Sequence, residues 1–324
     1  MINESDIALS YEDAENLVGP EIEKALSGSH ELVRGYLGYL NSSGGKLIRA
    51  KALLACAMKP DGSVSTDAVR LAAAIEIFHL ATLVHDDIID DAAVRRGKAS
   101  LHRKFGRKVA VICGDYLFSL ALKQLTQILN RKDYADLSVP DFISRVCVGE
   151  LEQFINNRNF SLSVYRYLKI ISGKTAALFE ACFFAGAILA GDEENAKKYM
   201  RAGRYIGMVF QLNDDCMDYE ESEDIARKSV MSDFEQGVVT LPLIYTFSKM
   251  PDLTEKALNS EFSADDAVRA VKKSGGIGFT RAVSRAYYEK CLRTIEKISL
   301  PDDKRKRLVS ILDKAYNGVR AKGK

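Results

Sequence analysis

Apolar residues recur at three- and four-residue spacing through most of the chain, and strand-like alternation never persists for long. That periodicity predicts an all-α protein. It predicts helices over 12–27, 30–42, 46–58, 66–90, 101–130, 140–158, 163–171, 173–190, 192–219, 223–228, 238–249, 263–273, 276–298 and 302–318. Breakers mark several of the ends: Gly44-Gly45, Pro60-Asp61-Gly62, Pro140, Gly191, Gly275-Gly276 and Pro301. No linker is long or low in complexity, so the expectation is one domain over residues 1–324. The stretches 66–90 and 192–219 look nearly apolar all round, with polarity gathered at their C-terminal ends. That is expected of central helices in a large bundle.

Those polar ends carry the candidate chemistry. Asp86, Asp87 and Asp90 form a DDxxD box, and Asp214, Asp215 and Asp218 repeat its spacing about 130 residues later. Residues four apart lie one above the other on a helix, so Asp86 and Asp90 share a face, as do Asp214 and Asp218. A lone box of this kind is more often a solvated helix end than a metal site. Two at the ends of two apolar helices are harder to read that way. Helix C-termini carry partial negative charge, and massed carboxylates there repel each other. A hard divalent cation offsets both costs. Mg²⁺ commonly binds through one or two carboxylates plus substrate phosphates.

Cations and phosphate-binding candidates lie near both boxes. Arg95 and Arg96 follow the first and suit bidentate phosphate contacts. Lys46 and Arg49, after Gly44-Gly45, are expected on the first turn of a helix whose free N–H groups would help cradle an anion. A surface charge pair is the plainer reading of that stretch taken alone. His79 lies seven residues before Asp86 on roughly the same side. A lone histidine on an apolar helix is usually a core residue, but near an anion it can donate to phosphate. His85 adjoins the acids, and with carboxylates so near no ligand role is assigned to it. Gly173-Lys174-Thr175 is expected to open another apolar helix and to bind phosphate at its N-terminus. Its glycine spacing is wrong for a P-loop and no strand precedes it. Lys228 follows the second box, and the segment 233–242 ends in Thr-Leu-Pro.

Composition narrows the classes. With 324 residues and 47% hydrophobic residues the chain can bury a large core. A net charge of +2 supplies no basic field for nucleic acid. The six cysteines are scattered, form no CxxC pair and mostly sit in apolar runs, as buried thiols of a reducing cytoplasm would. The polar N-terminus does not read as a signal peptide. The run Ala176 to Ala190, broken by Glu180, is expected to be a buried helix too short to span a bilayer.

In their order and spacing, GGKxxR (44–49), the first Asp box with its RRG (86–97), GKT (173–175), the second box with its Gln (211–218) and DxxxGxxTLP (233–242) resemble the trans-isoprenyl diphosphate synthases, or polyprenyl synthetases, of long-chain type. The resemblance implies the isoprenoid synthase fold, a single all-α bundle around a deep central cavity, usually a homodimer, with a heteromer as alternative. It implies a prenyltransferase joining an allylic diphosphate to isopentenyl diphosphate with release of diphosphate. Membrane contact would be at most peripheral. By position, Asp86, Asp90 and Asp214 would hold Mg²⁺, three ions per active site, with Asp87, Asp215 and Asp218 in support. Arg95, Lys174 and Lys228 would contact the allylic diphosphate beside Thr175 and Gln211. Lys46, Arg49, His79 and Arg96 would bind isopentenyl diphosphate. Two other readings compete. A non-catalytic subunit would be expected to have lost acids from the boxes. A terpene cyclase would be expected to carry a different second metal motif and no Lys46/Arg49 pair.

Chain length follows from the same resemblance. The fifth residue before the first box sets the first floor for the growing tail, and here it is Ala81, followed by Thr82. Ile77, Ala74 and Ala73 lie deeper on a similar side, and Phe78 is expected to point elsewhere. Leu125 or Ile128, on the expected opposite wall, would form a later floor. The expectation is a product longer than geranylgeranyl, heptaprenyl to nonaprenyl. Farnesyl or geranylgeranyl synthesis is the alternative. The chain also departs from the family pattern: Leu47 follows Lys46, Val238 replaces a usual lysine after Gly237, and Arg227-Lys228 replaces Gly-Lys.

Overall fold

The structure is a computed structural model that describes residues 7–41, 46–129, 141–220, 234 and 236–318. Its contacts group into two compact units. One comprises Met1–Val139, Ala185–Ala196 and Leu300–Lys304. The other comprises Pro140–Phe184, Lys197–Ser299 and Arg305–Lys324.

In the first unit, β1 (Ala8–Leu9) pairs antiparallel with β2 (Val64–Ser65). The helices are α1 (Tyr11–Ser27), α2 (Glu31–Asn41), α3 (Ile48–Ala57), α4 (Thr66–Ile89), α5 (Leu101–Phe105) and α6 (Arg107–Leu129). A hairpin of β3 (Val94–Arg95) and β4 (Lys98–Ala99) lies between α4 and α5. Ser65 caps α4 by accepting the Ala68 N–H. From Asp67 to Phe78 this helix is buried on nearly every side, and α1, α3 and α6 pack on it. The single helix expected over 101–130 is two, because Gly106 at φ +90° breaks it.

The second unit holds α7 (Phe142–Ile155), α8 (Val164–Ile171), a π-helical turn (Ser172–Ala176), the greater part of α9 (Ala177–Leu189) and most of α10 (Ala196–Glu220). Then follow α11 (Leu241–Lys249), α12 (Pro251–Leu258), α13 (Ala264–Ser274), α14 (Gly276–Glu296) and α15 (Asp302–Asn317). Tyr167, Ile170, Met208, Leu212, Leu241 and Ile244 are among its core residues. The periodicity missed α12, where Pro251 sits in the first turn as a starter rather than a breaker. The helix expected over 223–228 lies outside the described residues.

Two expectations about apolar helices need correction. In α10 the first half is solvated on one side, with Lys197, Lys198, Arg201 and Arg204 exposed; only from Ile206 onward is it buried nearly all round. The run Ala176–Ala190 is not a short helix of its own. Helical structure continues from Val164 to Leu189 without a break, and that span is long and apolar enough to cross a membrane by length and composition. So are Thr66–Ile89 and Arg107–Ile128; the apolar windows of the three are 78%, 61% and 28% buried within the protein. Glu180, inside the first of them, is only 3% exposed and is held by a bidentate pair with Arg145 at 2.8 and 3.0 Å. A buried carboxylate is tolerated when a fork of donors satisfies it.

Candidate active site

The first acidic motif sits where α4 stops. Asp90 is its C-cap and donates its N–H to the Asp86 carbonyl at 2.8 Å, which keeps Asp86 and Asp90 on one face. Both are partly buried, whereas Asp87 is only 4% exposed. Arg95 reaches the Asp87 carboxylate with Nε at 2.8 Å and Nη2 at 2.6 Å. Arg95 can do this because it stands on β3, and Arg96-Gly97 turns the chain back into β4. Both turn residues have positive φ, +50° and +78°, the signature of a type I′ hairpin. Gly97 is therefore needed by the turn. Asp91, also at positive φ, ties the motif to the next helices: it accepts from Arg103 at 2.6 Å and Arg107 at 2.7 Å. Those bonds lower its pKa, with Arg107 the largest cause.

The expected anion cradle at α3 is built differently from expectation. The helix begins at Ile48, after Leu47 in the left-handed region, and Lys46 precedes it, exposed. The N–H groups of its first turn are not all free. Ala50 donates to Glu76 Oε1 at 2.9 Å, and the Arg49 N–H bonds the same carboxylate. Burial raises the Glu76 pKa against the opposing charge of Arg49 and Arg96. One turn further along α4, burial and then the charges of Arg49, Arg96 and Arg95 push His79 well below its ordinary 6.5. The fold thus gathers Arg49, Arg95, Arg96 and His79 in one region. Thr82 donates its hydroxyl to the His79 carbonyl at 2.8 Å, and its oxygen lies 3.4 Å from Nδ1. His85 turns away toward α6, stacked on Phe118 and 3.4 Å from Asp115.

A pH effect follows. Because the folded pKa of His79 is depressed, the unfolded chain binds its proton first as pH falls. The stabilising contribution is full above about 6.5 and is lost as pH drops through the window below it. The melting temperature is expected to fall on acidification through that window, and to fall less in His79→Gln. Identical pH slopes for the two proteins would contradict the assignment.

The second motif lies near the end of α10. Asp214 is exposed and Asp218 partly buried, while Asp215 is only 1% exposed. Gln211 Nε2 donates to Asp215 Oδ1 at 2.8 Å, Tyr167 donates a short hydrogen bond to Oδ2, and Thr175 donates to Gln211 Oε1 at 2.7 Å. In both motifs, therefore, the second aspartate is buried and held by donors, and the first and last are the more open ones. Tyr167 and Glu76 escaped the sequence reading. Neither belongs to a motif, and the only signal is a polar tip at a core position of a helix.

The Gly173-Lys174-Thr175 expectation also needs correction. These residues do not open a helix. They form the π-helical turn inside the continuous stretch from α8 to α9, so their position offers no helix N-terminus. The turn packs backbone to backbone on α7: a Cβ on Gly149 would lie 2.2 Å from the Lys174 nitrogen, and one on Gly173 2.9 Å from the Arg145 carbonyl oxygen. Lys174 Nζ pairs with Glu150 at 2.8 Å. π-turns are frequent at functional sites. At the tail motif, Gly237 has φ +86°, accepts the Arg158 N–H at 2.6 Å and has the Arg158 side chain against it, one residue from Val238. Lys228 and Asp233 lie outside the described residues.

The chain-length residues Ala81 and Ile77 are wholly buried in α4, and Thr82 is partly buried. Phe78 meets Phe118 of α6 edge-on at 4.8 Å. Ile128 on α6 is buried and Leu125 partly so.

Among the described residues no three His, Cys, Asp or Glu side chains converge as a ready-made cage. Open carboxylate pairs fit Mg²⁺, which takes its remaining ligands from phosphate and water.

Comparison with known proteins gives the family. The polyprenyl synthetase family model matches residues 30–274. The chain is 32% identical over 306 residues to heptaprenyl diphosphate synthase component 2 of Bacillus subtilis (strain 168), covering 92% of this chain and 87% of that protein. It is 30% identical over 293 residues to octaprenyl diphosphate synthase of Escherichia coli (strain K12), covering 88% and 89%. Among solved structures, heptaprenyl diphosphate synthase from Staphylococcus aureus superposes with a TM-score of 0.85 at 32% identity, over 96% of this chain and 99% of that one. Two repeated carboxylate motifs, a hairpin arginine holding one of them and a match across both units lead to one conclusion: the chain belongs to the polyprenyl synthetase family.

Proposed function

We propose that this chain is a trans-polyprenyl diphosphate synthase that extends an allylic diphosphate with isopentenyl diphosphate to a heptaprenyl-to-nonaprenyl product. Family membership makes it a prenyltransferase of all-α isoprenoid synthase fold whose catalysis depends on a divalent metal. The observation that carries the reading is the shared build of the two motifs, each with one buried, donor-held aspartate beside a more open pair. In this reading Asp86, Asp90 and Asp214 hold Mg²⁺, three ions per site, and residues 1–324 act as one catalytic domain. Bound Mg²⁺ would neutralise charge on the departing diphosphate. The chain's own part is to fix cations where that charge develops: Arg95 and Lys174, with Lys228, on the allylic diphosphate, and Lys46, Arg49, His79 and Arg96 on isopentenyl diphosphate. Alignment of the two substrates in a dry pocket lets the allylic cation meet the double bond before water does. The released diphosphate takes the proton, since the motifs supply no strong base.

The relatives named for heptaprenyl and octaprenyl synthesis support the long product, as does the small side chain at Ala81. We propose a homodimer in the cytoplasm, soluble and with at most peripheral membrane contact. Exposed Val111, Ile112 and Leu122 on α6, and Val148, Leu151 and Phe154 on α7, are apolar surface that a second copy would cover. A heteromer is the second reading, favoured by the "component 2" in the name of the Bacillus subtilis relative.

The test is incubation with Mg²⁺, farnesyl diphosphate and labelled isopentenyl diphosphate, followed by chain-length analysis. Heptaprenyl to nonaprenyl products from the chain alone are expected. Activity only after addition of a second subunit would select the heteromer. Products ending at geranylgeranyl, or cyclised hydrocarbons, would reject the proposal.

A further inference from the structure

We propose that Glu76 is a positioning residue for isopentenyl diphosphate: its carboxylate caps the first turn of α3 and thereby sets Arg49 in the anion cradle. The inference rests on the reading above that Arg49, Arg96 and His79 bind that substrate. A carboxylate is out of place in a site meant to attract an anion. It lies close enough to Arg49 and Arg96 to feel their charge, and so weakens the field a second anion would meet. Its geometry explains why it is there. Leu47, at the start of α3, has no side-chain capping bond and takes the left-handed conformation, strained for a residue other than glycine. The first-turn N–H groups of Arg49 and Ala50 need an acceptor, and Glu76, from the middle of α4, supplies it at 2.9 Å from the Ala50 nitrogen. The bond crosses 26 residues of sequence. It locks the turn that carries Arg49 to the same face of α4 that carries His79, three residues on. Orientation, not charge, is then the role of Glu76.

The experiment measures KM for isopentenyl diphosphate and for farnesyl diphosphate separately in four variants of the full-length enzyme: Glu76→Ala, Glu76→Met, Glu76→Gln and Arg49→Ala. Glu76→Ala and the size-matched Glu76→Met remove the acceptor, and are expected to raise the isopentenyl KM by about tenfold or more while the farnesyl KM stays within about twofold. Glu76→Gln keeps an oxygen that accepts the same N–H groups, and is expected to restore the isopentenyl KM to within about threefold of wild type. If Glu76→Ala does not fold, the Met and Gln pair carries the comparison. A rise of both KM values together, or a Gln variant as impaired as the Met variant, overturns the proposal. If Arg49→Ala raises the isopentenyl KM and Glu76→Met does not, the cradle stands and the role of Glu76 is wrong. If Arg49→Ala leaves that KM unchanged, the cradle reading itself fails and the Glu76 proposal falls with it.

Discussion

Asp86→Ala and Asp214→Ala are each expected to lower turnover by on the order of 10³-fold or more, the scale at which loss of a preorganised electrostatic contact acts. Their melting temperatures should stay close to wild type. Asp86 is partly buried and Asp214 exposed, and each stands against a helix C-terminus that disfavours negative charge. Removing either carboxylate therefore costs the fold little. Asp215→Ala should separate the two roles. That side chain is only 1% exposed and accepts from Tyr167 and Gln211, so its loss strands two donors, at about 1–3 kcal/mol of stability. Calorimetry beside steady-state kinetics makes the check. Near wild-type turnover in Asp86→Ala or Asp214→Ala would remove the metal assignment. A second readout is thermal stabilisation by Mg²⁺ with a bisphosphonate, which follows from mass action on the folded state. It should appear in the wild type and shrink in both variants.

Ala81→Tyr and Ala81→Phe are expected to shorten the product sharply, to farnesyl or geranylgeranyl length. Ala81 is wholly buried in α4, five residues before Asp86, and Ile77 is wholly buried one turn deeper. An aromatic ring at Ala81 would close about one helical pitch, ~5.4 Å, of the path assigned to the tail. Overpacking a filled position costs about 1–3 kcal/mol, so the melting temperature should drop while activity with short primers persists. Chain-length analysis of wild type and variants side by side decides the matter. If Ala81→Tyr leaves the product distribution unchanged, the tail does not pass this residue.

How much of this was legible beforehand depends on the range of the interaction involved. The end of α4 fell within a residue of its expected position, because helical periodicity and a cap are local. The pairing of Asp86 with Asp90 on one face needs only 3.6 residues per turn. α12 was lost because a proline reads as a breaker until its place in the first turn is known. Gly173 shows a different limit. Its missing Cβ serves a backbone approach to Gly149, 24 residues away in the chain, which no local spacing reveals.

The sequence by itself determined that the protein is helical, that two acidic motifs stand at helix ends, and which family those motifs resemble. Each of these follows from period, spacing or residue type. Only the tertiary structure decided which carboxylates are buried against donors and which are more exposed. Asp87 is held by an arginine eight residues on, presented by a type I′ hairpin, and Asp215 by a tyrosine 48 residues back. Glu76 caps a helix 26 residues before it. Burial of a charged group is set by whichever donors the fold brings to it, and donors that far apart in the chain leave no periodic trace in the sequence.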